Sequence, residues 1–99
     1  MNGIQSIDLI TKNPAVRGGK PCVADTGLRV TDLVIAHLFH KRSPEALTSD
    51  YEILLAQVYA ALAYYYQHKD ELDEDIRHQI LSARTARGKF TSGKPLLLS

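Results

Sequence analysis

The rhythm of apolar and polar positions changes near residue 30. Before it, alternation is two-fold and broken by turns; after it, the period is helical. In "SIDLIT", residues 6–11, Ile7 and Leu9 fall on one side and Ser6 and Asp8 on the other, which predicts a short strand. Asn13-Pro14 and "RGGKP" are turn signals. "CVAD" and "LRV" flank Thr26-Gly27, which predicts a hairpin with Gly27 at positive φ. Residues 6–30 therefore read as a small, irregular β-ribbon.

In "DLVIAHLFHK", Val34 and Leu38 form one helical ridge and Ile35 and Phe39 the next. Thr31 is the expected N-cap, with Asp32 in the first turn and Lys41 and Arg42 at the C-terminal end. "SPEALTSDY" has Ser43 to cap, Pro44 at the first helical position and Glu45 to complement the dipole, so a two-turn helix ends near Tyr51. Residues 53–67, "ILLAQVYAALAYYYQ", carry Leu55, Val58, Leu62 and Tyr65 or Tyr66 at helical spacing, and also Leu54, Tyr59 and Ala63. Apolar surface runs nearly all the way round, so this helix is expected to be central or shared with a partner. Asp70 opens a last helix with the stripe Leu72, Ile76 and Ile80, expected to stop at Gly88. "KFTSGKPLLLS" has no amphipathic period and reads as a tail, loose unless something binds it.

The expected fold is mainly α. It has a trihelical helix-turn-helix core (homeodomain-like or winged-helix-like), a short N-terminal β-ribbon and an extra C-terminal helix. Residues 1–68 form the ribbon and helix-turn-helix domain. Residues 69–99 are expected to form the C-terminal helix and tail, the segment open to a partner.

Composition narrows the function classes. With 44% apolar and 23% charged residues over 99 positions, the chain resembles one globular domain rather than a disordered one. A net charge of +1 gives no overall basic field that would demand nucleic acid. The charge is nonetheless patterned. Residues 70–75, "DELDED", hold five of the eleven acids, whereas five basic residues and no acid follow from Arg77 to Ser99. One cysteine makes no internal disulfide and the N-terminus lacks signal-peptide features, so a cytoplasmic setting is expected. The longest uncharged stretch is shorter than the roughly 18–20 residues a membrane helix needs, so no membrane partner is expected.

"RGGKPC" lacks the first Walker glycine and has Pro21 where the hydroxyl belongs, so a phosphate cradle is excluded. The loop is then a tight ribbon turn, or an arm in which Arg17, Lys20 and Arg29 touch a nucleic-acid backbone. His37 and His40 are three apart and Cys22 lies upstream, but no ligand pair has zinc spacing. No Ser/His/Asp or Cys/His set has triad-like spacing. Neither enzyme activity nor a metal or other cofactor is expected. Tyr64, Tyr65 and Tyr66 point in three helical directions, so at least one leaves the core. With Tyr59 they form either packing or a homodimer surface.

"NPAVRGGKPCV", "SPEAL" and, above all, "LLAQVYAALAYYYQHKDELDEDI" resemble the domain of unknown function 433 family across residues 4–78. The resemblance implies a small VapB-like antitoxin, paired with a PIN-like ribonuclease toxin. It further implies an N-terminal part that binds operator DNA and a C-terminal part that binds the toxin. On this chain the DNA contacts would fall to Arg17, Lys20, Arg29, Lys41, Arg42 and Gln57, and the toxin contacts to Arg84, Arg87, Lys89 and Lys94. The chain departs from the family's I-x-G-T-R-I pattern: in "VADTGLRV", Asp25 replaces the glycine and Gly27 the arginine. The helix junction "HKRSP" lacks a usual glycine, and Tyr51-Glu52 replaces the usual Tyr-Pro.

Overall fold

The structure, a computed structural model, describes residues 9–92, with side chains through Ala86. The start of the expected strand, Ser6–Asp8, and the tail from residue 93 lie outside the described residues. Strand β1 (Ile10–Thr11) pairs antiparallel with β2 (Cys22–Val23), Ile10 opposite Val23 and Thr11 opposite Cys22. Between them the chain passes through Arg17, Gly18 and Gly19 at φ 50, 66 and 85, a left-handed turn in which the two glycines carry no Cβ penalty.

β2 then folds back on itself. Val23 N–H donates to Leu28 O at 2.9 Å and Val30 N–H to Pro21 O at 2.9 Å. Thr26 closes the turn: its hydroxyl donates to Val23 O at 2.8 Å and accepts from Leu28 N–H at 3.0 Å. The hairpin is where the sequence places it, but the positive φ is not. Asp25 takes φ 63, and Gly27 is not among the left-handed residues. The Thr26 hydroxyl pins the second half of the turn, which leaves the reversal to the residue before it.

Helix α1 (Val30–Val34) continues into a wider π-helical turn, Ile35–Phe39, where His40 N–H reaches back to Ile35 O at 3.2 Å. Its cap is Arg29, not Thr31. Val30 and Thr31 are drawn into the core at 0% and 2% exposure, so the chain must bend two residues earlier. Asp32 then accepts the Arg29 amide at 2.9 Å, closing the first turn. Helix α2 (Pro44–Tyr51) forms as its signature dictates, Ser43 Oγ accepting Ala46 N–H at 3.1 Å. It ends on Glu52 at φ 56, whose amide donates to Thr48 O, a bond that a proline there could not make.

Helix α3 (Leu55–Gln67) packs against α1, α2 and both strands and is central, as its apolar surface requires. Leu33, Val34, Leu47, Val58 and Ala61 are fully buried around it. Helix α4 (Lys69–Ser92) has Leu72 and Ile76 buried. It does not stop at Gly88. One interior glycine costs only about 1 kcal/mol, and Ala86, Arg87 and Lys89 around it favour helix. Acids at its start and bases toward its end complement the dipole throughout. The chain divides into two compact units, 1–69 and 70–99.

Two non-glycine turn residues, Asp25 and Lys41, are left-handed. Asp25 turns the hairpin at φ 63, and the "HKRSP" junction turns at Lys41, φ 61. A side chain there costs about 0.5–1 kcal/mol relative to glycine. Asp25→Gly and Lys41→Gly are each expected to raise the melting temperature by roughly 2–6 °C, read by circular dichroism. An unchanged or lower value would show that the side chains contribute more than the strain they impose.

Candidate functional site

The cations of the first unit are largely engaged. Arg29 makes a bidentate pair with Asp32, Nη2 to Oδ1 at 2.9 Å and Nε to Oδ2 at 3.2 Å. Arg42 pairs in the same way with Asp50, at 2.8 and 2.9 Å, and that hydrogen bond and charge push its pKa up. His37 Nδ1–H donates to Arg42 O at 2.7 Å, which steadies the junction. Arg17 is exposed and donates from Nη1 to Gly27 O at 3.1 Å. Lys20 and Lys41 are exposed. A phosphate would have to take Arg29 and Arg42 away from carboxylates, so the charge free to contact it is smaller than the sequence implies.

Gln57 is the residue that the sequence offers to base edges. It is half-buried, and its Oε1 accepts Leu54 N–H at 2.6 Å, capping α3. A side chain at the third helical position is well placed for that bond, a signal the sequence contained. The other residues of α3 bear no charge.

The outer face of α3 is apolar instead. Leu55, Tyr59 and Tyr66 follow one line along the helix at 39%, 51% and 59% exposure, with exposed Ala56 and Ala63 beside them. Of the four tyrosines expected at an interface, Tyr65 is in the core at 3% exposure. Tyr64 is half-buried with its ring 4.3 Å from that of His68. Leu54 and Leu55 are surface residues that helical spacing had grouped with the apolar stripes.

In α4, Arg77 is held by Glu74, which His78 Nε2 also approaches at 3.1 Å, and Arg77 holds the Glu74 carboxyl below its usual range. Arg84 is exposed. Every residue from Leu81 to Ala86 is exposed, so this stretch faces solvent on all sides. Arg87 and Lys89 continue the same helix; their side chains, and Lys94 altogether, lie outside the described residues.

Beside the hairpin lies a cleft of about 470 Å³ lined by Thr11, Asn13, Cys22 and Thr26, among others. Its polar groups serve the turns: Asn13 Oδ1 accepts Ala15 N–H at 2.9 Å, and the Thr26 hydroxyl closes the hairpin. Burial pushes the Cys22 thiol pKa up, and Arg17 opposes the shift. Cys22 is therefore expected to react with a disulfide reagent about 100-fold more slowly in the native chain than in denaturant, and comparable rates would contradict the buried placement. Among the described residues no group of three His, Cys, Asp or Glu could hold a metal, and no helix is long and apolar enough to cross a membrane.

These features define a small helical domain with a two-stranded antiparallel sheet, a neutral outer helix face and a basic helix end. The model of the protein family of unknown function DUF433 matches residues 10–65, and the chain belongs to that family. The crystal structure of a DUF433 member from Anabaena variabilis ATCC 29413 is similar to it, at 27% identity and a TM-score of 0.65, over 71% of this chain and 69% of that one. No curated protein matches.

Proposed function

We propose that this chain is a small antitoxin-like regulator that binds and inhibits a PIN-like ribonuclease through the basic half of α4. One observation carries the reading: α4 remains helical to Ser92 while Leu81–Ala86 are exposed on every side and no acid follows Glu74 and Asp75. A helical run with nothing packed on it gains little stability from burial, so a partner surface is what would hold it. Arg84 and Arg87 stand three apart along the helix, a spacing that sets two positions on one face. Guanidinium forks suit a cluster of carboxylates, the chemistry by which a PIN-like nuclease holds its metal.

The order α1, α2, α3 fits a trihelical helix-turn-helix unit. Base reading by α3 has less support, because it carries no charge and Gln57 caps it. Operator contact, where it occurs, falls to Arg17, Lys20 and Lys41 at phosphates. The test is co-purification of the tagged chain with the product of the adjacent gene. A stoichiometric complex with a PIN-like protein is expected. The absence of such a gene, with nothing co-purifying, would remove the reading.

A further inference from the structure

We infer that the outer face of α3 is a homodimer contact, α3 packing on α3 of a second copy about a two-fold axis. This goes beyond the nuclease reading and does not depend on it. Leu55, Tyr59 and Tyr66 present a continuous apolar line to solvent, and Leu54, 69% exposed, precedes it. Such a face is what a partner covers.

Charge decides in favour of a second copy. In a two-fold contact the same patch meets itself, so any charge near the axis faces its like. All thirteen residues of α3 are uncharged, whereas α4 and the α1–α2 junction are rich in charge. A partner recognised by charge would find nothing here to pair with. The area is of the right order. At the exposures given, Leu54, Leu55, Tyr59 and Tyr66 present roughly 400–500 Å², taking about 150–250 Å² for a whole aromatic side chain. That is half or more of the roughly 800 Å² per partner of a standard interface. Ala56 and Ala63 are small enough for the two helices to approach closely, and the tyrosine hydroxyls can hydrogen-bond at the rim.

Sedimentation equilibrium of the full chain, without nuclease or nucleic acid, tests this. A mass twice that of the 11.0 kDa chain is expected at roughly tens of micromolar, with Tyr59→Glu and Tyr66→Glu each falling to the single-chain mass. Ala63→Cys is the second variant, because it adds no charge and keeps the helix. Under mild oxidation it is expected to form a disulfide-linked dimer through α3. A wild-type chain that stays single at every concentration would overturn the inference. So would a dimer that persists in both glutamate variants, or one that Ala63→Cys never captures. None of these outcomes bears on nuclease binding, so the two readings fail separately.

Discussion

Changing Arg84, Arg87 and Lys89 together to glutamate is expected to weaken binding to the partner nuclease about 1000-fold or more. A hydrogen bond to a charged group is worth about 1.5–3 kcal/mol, so the loss of three, one per cation, reaches that factor even at the low end. Reversal also sets new carboxylates against the acids of the nuclease pocket. The first unit is expected to keep its melting temperature within a few degrees, because no core residue is touched. Glutamate near a helix C-terminus opposes the dipole by about 0.3–1 kcal/mol. The neutral pair Arg84→Gln and Arg87→Gln is therefore the companion variant, and an intermediate loss is expected from it. Surface plasmon resonance reads both. Affinity unchanged by the triple reversal would place the contact elsewhere.

The second large effect is on stability. Leu33 lies on α1 with no exposed surface, and α1 packs on α3. Leu33→Ala removes buried methyl groups and leaves a void in a small core, at a cost of about 3–4 kcal/mol. Against a total of roughly 5–15 kcal/mol this is a large share, and the melting temperature is expected to fall by roughly 15–25 °C. Leu54→Ala is the contrast. At 69% exposure it is expected to cost less than about 0.5 kcal/mol. Equal effects of the two would mean that α3 is not the element around which this unit is built. In a dimer, the Leu54 variant would shift association rather than folding.

What could be read in the sequence and what could not divide along a physical line. Helix α2 was legible whole, because Ser43, Pro44 and Tyr51 act locally: a hydroxyl cap, a missing donor and a chain end. The extent of α3 followed from its apolar period, and its central place from having apolar residues on nearly every side. The cap of α1 was misplaced by two residues, because burial of Val30 and Thr31 decides where the chain bends, and burial is not local. The hairpin's left-handed residue was assigned to Gly27 by residue type, yet the Thr26 hydroxyl fixes the turn and gives that conformation to Asp25. The continuation of α4 through Gly88 was missed because a glycine ends a helix only where the chain must reverse.

Among the candidate site residues the same division holds. The Arg29–Asp32 pair was open to prediction from its spacing of three, whereas Arg42–Asp50 spans eight positions and two elements and was not. Tyr65 and Tyr66 are neighbours in sequence, and only their position around α3 separates a core ring from a surface one. Helical spacing grouped Leu55 with the apolar stripes, though it opens to solvent on the line that Tyr59 and Tyr66 complete.

The central claim is that this chain acts on a nuclease through protein contact. The direct test is the ribonuclease activity of the neighbouring gene's product, titrated with the full chain. Activity is expected to fall linearly and reach baseline near one chain per nuclease active site, with the triple glutamate variant leaving it intact. Activity undiminished at about tenfold molar excess of the wild-type chain would contradict the account.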